Sequence, residues 1–162
     1  MSIYQGTELG KCKANYAPLS PVSMLKRTAR VYPDRLAQVH GRIRRSWGEV
    51  EQRCKRLASA LAAHGIAKGD TVALLAPNIP EALECALAVP MLGAVLNANN
   101  TRLDPDTIGY ILDHGEAKVF LVDTELSGIA SVALKKAGRA ILVVDIEDPE
   151  GPGGDRIGAL TY

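Results

Sequence analysis

An α/β fold, with a parallel sheet, helices on both faces and a short β-hairpin ahead of it, is predicted by three observations. Short apolar runs at 71–76, 94–97, 118–122 and 141–144 alternate with longer stretches of helical period. The longest of these runs are apolar at consecutive positions, which is how a strand reads when both its faces are covered. Strand–helix–strand alternation in turn requires parallel pairing through right-handed crossovers.

The elements follow in order. Ser20-Pro21 reads as an N-cap followed by proline at the first helical position, and the helix should stop at Tyr32-Pro33. Two short strands at 36–39 and 43–47 flank His40-Gly41-Arg42, a hairpin turn. Ser46 and Glu49 form a capping-box pattern ahead of a helix whose apolar stripe is Val50, Cys54, Leu57 and Leu61. His64-Gly65 closes it, with glycine in the left-handed cap conformation. After the strand at 71–76, Asn78 is expected to cap a helix that Pro90 kinks and Gly93 ends. Asp104-Pro105 starts a further helix, stopped at His114-Gly115, and a last helix is expected over 124–137. The organisation predicted is a tail over 1–19, an α/β unit over 20–146, and a loop plus the start of a further part over 147–162.

A chain of 162 residues suits one domain or part of a larger one, and 47% apolar content is enough for a core. A net charge of +1 excludes an extended nucleic-acid footprint. The densest basic stretch, Arg42, Arg44 and Arg45, is read as the solvated side of the hairpin. Three cysteines, Cys12, Cys54 and Cys85, form no CxxC pair and suit neither a disulfide framework nor a zinc site. Cys54 and Cys85 fall on apolar helix faces, as core thiols do. No apolar run opens the chain and none reaches membrane-spanning length, so a soluble cytoplasmic protein is expected.

Few residues suggest chemistry. The turn after the first parallel strand, Ala76-Pro77-Asn78-Ile79-Pro80, lacks the glycines that let a backbone approach a pyrophosphate, and there is no GxxxxGK[ST] motif. Gly151–Gly154 has no following lysine, hydroxyl or helix and reads as a mobile surface loop. His64 and His114 stand at helix ends, where partial positive charge suits the dipole, and nothing nearby pairs them or His40 with a nucleophile. Asp123 and Asp145 each follow a parallel strand, which raises a phosphoacceptor reading. Against it, the first strand lacks an acidic pair and the last lacks a lysine; helix capping accounts for Asp123.

Three longer stretches carry a resemblance. Ser46-Trp47-Gly48-Glu49-Val50 leads through Arg56-Leu57-Ala58-Ser59-Ala60-Leu61 to Lys68-Gly69-Asp70-Thr71-Val72-Ala73. Pro90-Met91-Leu92-Gly93-Ala94-Val95-Leu96-Asn97 continues to Asn100-Thr101-Arg102-Leu103-Asp104, and Ile111-Leu112-Asp113-His114-Gly115-Glu116-Ala117-Lys118-Val119 follows. In order and spacing they resemble the amino-terminal part of the AMP-forming acyl-CoA synthetases, especially the fatty-acid and medium-chain type. The resemblance implies a two-step reaction: a carboxylate attacks the α-phosphate of ATP, giving an acyl-adenylate and pyrophosphate, and the thiol of CoA then displaces AMP. It implies ATP, Mg2+ and CoA as cofactors of the full-length enzyme and a fatty or other carboxylic acid as substrate. That family's phosphate loop, of the form YTSGTTGxPKG, does not occur in these residues. The expectation is therefore an inactive amino-terminal fragment, with no catalytic, cofactor-binding or metal-ligating residue assigned within it, that binds none of the three cofactors tightly. Self-association is expected, through the apolar helix near 81–92 or an open sheet edge. The competing reading is a free-standing, non-catalytic α/β binding or regulatory module.

Overall fold

The computed structural model describes residues 10–13, 16, 17 and 19–162, so most of the expected tail lies outside the described residues. Helix α1 (Pro21–Val31) precedes a hairpin of β1 (Leu36–His40) and β2 (Ile43–Ser46), then α2 (Trp47–Ala63). The alternating unit follows: β3 (Thr71–Leu75), α3 (Pro80–Met91), β4 (Val95–Ala98), α4 (Pro105–His114), β5 (Ala117–Asp123), α5 (Ser127–Lys136), β6 (Leu142–Ile146) and β7 (Leu160–Thr161). The sheet is parallel, in the order β4-β3-β5-β6-β7. From β3 the chain moves outward to β4, then crosses back over β3 to build the other side.

Burial on both faces explains the continuous apolar strands. Val72, Leu74, Val119 and Leu121 meet the α2–α3 side, with Leu61, Cys85 and Val89. Ala73, Leu75, Phe120 and Val122 meet the α4–α5 side, with Ile108, Leu112 and Ala130. A third cluster of Leu25, Val50, Cys54, Ala58 and Ala88 seats α1 on α2 and α3. Most of α3 is thereby covered within the chain, and Leu83 is its one strongly exposed large apolar side chain, at 44%.

The helix starts are mostly those expected. Ser20 caps α1, and Ser46 accepts from the Glu49 amide at 3.3 Å while the Glu49 carboxylate accepts from the Ser46 amide at 2.7 Å. Asp104 caps α4. Gly65 takes φ +82°, the left-handed cap.

Two details differ from the sequence expectation, at the starts of α3 and of the last helix. The N-cap of α3 is Ile79, not Asn78, and no side chain caps it. Pro80 is the first helical residue, and the extended geometry it imposes on Ile79 leaves Asn78 one residue too early. Pro90 lies inside the last turn of α3, and Gly93 (φ +71°) follows the C-cap Leu92 and ends the helix as expected. α4 stops at His114-Gly115 as expected, and the left-handed residue after it is Glu116 (φ +52°). Gly115 answers to space: a Cβ there would lie 2.9 Å from both Asn97 Nδ2 and the Ile111 carbonyl oxygen. Finally, the helix expected over 124–137 opens as a 3-10 turn, Thr124–Leu126, before α5.

The stretch beyond Asp145 adds a strand to the sheet. Leu160 and Thr161 pair in parallel with Val144 and Asp145. The loop leading there is tied down: His40 Nε2 lies 2.8 Å from Asp148 Oδ2, and Arg42 donates to Glu150 at 3.0 Å. No helix among the described residues is long and apolar enough to cross a membrane.

Candidate functional site

The carboxyl ends of parallel strands are where open α/β sheets take ligands, above all where the strand order reverses. Here that edge carries a cleft of about 940 Å³, walled by the hairpin residues Gln38 and His40, the turn Pro77–Pro80, and Asn99–Thr101 after β4. The sequence explains the opening. Short turns leave the strand ends uncovered, and α3 begins without a side-chain cap. Two amides more than nine-tenths buried face this region, each with an oxygen that makes no hydrogen bond: Gln38, whose Nε2 donates to the Pro80 carbonyl at 3.2 Å, and Asn99, whose Nδ2 reaches the Leu74 carbonyl at 3.4 Å.

The cleft does not fit the phosphates of a nucleotide. Proline at the first position of α3 removes a backbone donor, and the Ala76-Pro77-Asn78 turn has no glycine to let a backbone close in. Gly154, from the other glycine-rich stretch, is packed against the Thr124 carbonyl. Among the described residues, no cluster of His, Cys, Asp or Glu is arranged to hold a metal ion.

The residues singled out from the sequence are placed apart. Asp123 is 2% exposed; its Oδ1 accepts from the Glu125 amide at 2.9 Å and its Oδ2 has no partner. Burial pushes its carboxyl above the usual aspartate range, and the charges of Glu125, Asp148 and Glu81 add to this. Asp145 accepts from the amides of Ile157 and Gly158, at 3.2 and 2.9 Å, which fastens the strand-forming tail to β6. Both are thus structural, and neither offers an open carboxylate to phosphate. His114 stacks on Tyr110 with ring centroids 5.3 Å apart. Cys54 and Cys85 are buried and free, and Cys12 is exposed.

A buried charge cluster escaped the reading of the sequence. Glu84 of α3 is fully buried; its Oε1 accepts from Arg45 Nη1 and from Arg53 Nε, each at 2.7 Å, and its Oε2 accepts from the Tyr162 hydroxyl at 2.7 Å. Glu81 accepts from the same two arginines at 3.0 and 3.2 Å. Burial and the adjoining Glu84 carboxylate push the Tyr162 phenol up. Arg45 is consequently not on a solvated face, as its neighbours Arg42 and Arg44 are; its side chain is 15% exposed. The available signal was Glu81 and Glu84, one turn apart in an otherwise apolar helix, where buried carboxylates require cationic partners.

An open parallel α/β unit, reversing its strand order at β3 and carrying an accessory hairpin, defines a class that known proteins share. The family model described as AMP-binding enzyme matches residues 25–156. The peroxisomal trans-cinnamate:CoA ligase of Petunia hybrida is 48% identical over 128 residues, 79% of this chain and 22% of that protein. The peroxisomal acetate/butyrate–CoA ligase of Arabidopsis thaliana is 43% identical, covering 85% of this chain and 26% of the relative. A solved long-chain-fatty-acid CoA ligase, so named provisionally, from Rhodopseudomonas palustris superposes with a TM-score of 0.74 at 28% identity, over 88% of this chain and 40% of its own. An anthranilate CoA ligase, at 23% identity and TM-score 0.73, shares the fold. The chain belongs to the AMP-binding enzyme family, and it spans about a quarter of the length of these curated relatives. Their names also correct one expectation. Several are peroxisomal, which points away from the cytoplasm. An import signal of that kind is a short receptor-read tag that neither composition nor the chain's first residues reveal.

Proposed function

We propose that this chain is the amino-terminal α/β part of an AMP-forming CoA ligase, and that its contribution is scaffolding and not reacting groups. The observation that carries the reading is the family match over residues 25–156 with CoA-ligase relatives at 42–48% identity. The complete enzyme would use ATP and Mg2+ to form an acyl-adenylate and CoA to release it as a thioester, with the charge of the transferring phosphates held by groups outside these residues. The relatives' names span cinnamate, benzoate and acetate/butyrate, so the substrate proposed is a small aryl or short-chain carboxylic acid, and medium-chain fatty acids belong in the same panel. A peroxisomal location is proposed on the same ground. In isolation the chain is proposed to self-associate, through the open β4 edge that carries Val95 at 52% exposure.

The test pairs two proteins. The 162-residue chain should show no ATP–pyrophosphate exchange with any acid of the panel, whereas the product of the reading frame continued past codon 162 should show it and form the thioester. EDTA-sensitive exchange by the short chain, or a natural stop with no activity in any longer product, overturns the proposal; the second outcome favours a free-standing module.

A further inference from the structure

Charge is divided unevenly along the chain. Residues 10–36 carry six lysines or arginines, Lys11, Lys13, Lys26, Arg27, Arg30 and Arg35, against one acid, Asp34, a net +5. The whole chain is +1, so all other residues together carry −4. Among the described residues none of those six cations forms an ion pair, whereas Arg42, Arg45, Arg53, Lys55, Lys118 and Arg139 do. The same stretch is apolar as well as basic: Leu19, Met24, Val31, Tyr32 and Leu36 are exposed, by 49 to 93%. Helix α1 shows how the two kinds of side chain are arranged. Leu25 and Ala29 are buried, Leu25 against α2 and α3. At about 100° per residue, the half turned away from them carries Lys26, Arg30 and Arg27 in succession, then Val31 and Met24. All five are exposed.

We propose that α1 and the turn after it form a docking surface for an anionic lipid bilayer, on which the helix lies in the plane of the headgroups without spanning. Helices that take this position carry lysine and arginine on one side and apolar side chains beside them. Lys26, Arg27 and Arg30 meet the negative surface potential of the headgroups, while Met24 and Val31 enter the boundary with the acyl chains. The turn repeats the pairing. Tyr32, an amphipathic ring of the kind that settles at that boundary, has the Arg35 guanidinium 4.9 Å from its centroid. A nucleic acid would match the charge and leave the exposed apolar side chains in water. A fluid lipid surface satisfies both, and it needs no directed set of hydrogen bonds, which unpaired cations on a convex helix do not supply. Charge and apolar contact together are the two signals that peripheral binding requires, since each Lys or Arg near an anionic surface strengthens it only about fivefold.

Vesicle flotation tests this, because bound protein rises with lipid while aggregate sinks. The 162-residue chain and, in parallel, the product of the frame continued past codon 162 are mixed with vesicles of phosphatidylcholine, alone or with phosphatidylserine. Both proteins should float with the anionic vesicles at least about tenfold better than with the neutral ones, and less as salt rises. Lys26→Glu, Arg27→Glu and Arg30→Glu together should reduce this at least about tenfold, and Met24→Ser with Val31→Ser several-fold. Reversing Arg102 and Lys135, exposed cations outside the segment, should leave it unchanged. All these side chains are exposed, and urea midpoints read by Trp47 fluorescence verify that each variant folds. Equal flotation with the two kinds of vesicle overturns the proposal. So does flotation unmoved by the triple reversal, or reduced as much by the Arg102 and Lys135 control, which would make net charge the cause. Flotation of the short chain that the longer product lacks overturns it too, by showing α1 covered there. Binding that salt abolishes and that Met24→Ser with Val31→Ser leaves intact would make this a surface for polyanions in general, and the lipid assignment falls.

Discussion

At Asp123, one carboxylate serves two opposed demands. Its Oδ1 holds the first turn after β5, which makes it useful, while its burial with an unpartnered Oδ2 disfavours its charge. The folded pKa is raised above the ordinary value of 3.8, so the folded chain keeps this proton to higher pH than the unfolded chain does. The sign follows: Asp123 subtracts stability once pH rises above its folded pKa, and the penalty disappears as pH falls back through the window toward 3.8. Asp123→Asn retains an acceptor for the Glu125 amide and removes the charge. It should be at least as stable as the parent at pH 7, with the advantage shrinking toward acid; urea midpoints followed from neutral pH down to mildly acid pH by Trp47 fluorescence check this. A variant clearly weaker at pH 7 would mean that the carboxylate's charge is satisfied. From the sequence, the capping role of Asp123 was legible, because a cap depends on residues two or three away. Its burial was not, because burial depends on β6 and on the loop at Asp148.

Among elements, the same division holds. The ends of α1, α2 and α4 were readable from Ser20, Ser46, Gly65 and Asp104, since capping is a local exchange of hydrogen bonds. The ties between elements were not readable. Glu84 joins β2, α2, α3 and the chain's last residue through partners 31 to 78 positions away. Removing it leaves Arg45 and Arg53 sharing only Glu81 in a largely desolvated site. Glu84→Ala is expected to lower stability by about 3 kcal/mol, because an uncompensated buried charge costs more than the pair contributes. Tyr162→Phe removes a single donor and should cost only about 1 kcal/mol. Denaturant midpoints for the two variants give the comparison; similar losses would show that the hydroxyl, and not the arginines, governs Glu84. The His40–Asp148 and Arg42–Glu150 pairs work in the same way, binding the loop after β6 to the hairpin turn. A stretch that reads as mobile by composition is anchored by residues 108 positions earlier.

On the scale of the whole molecule, the open edge at β4 has a consequence for behaviour in solution. Backbone groups there have no neighbouring strand among the described residues, and Val95 projects at 52% exposure. Light scattering of the 162-residue chain should report a mass that rises with concentration across the micromolar range, and Val95→Lys, a charge on that edge, should reduce it. A concentration-independent monomer mass would refute self-association. By itself, the sequence determined the class of fold, most helix boundaries and the family likeness, because periodicity, capping and ordered motifs are carried by neighbouring residues. Only the tertiary structure decided the strand order, the addition of Leu160–Thr161 to the sheet, the burial of Arg45 and Glu84, and the bare outer half of α1. Each of these depends on which distant segments meet, and side chains of identical local pattern become core, lock or bare surface according to what the folded chain sets against them.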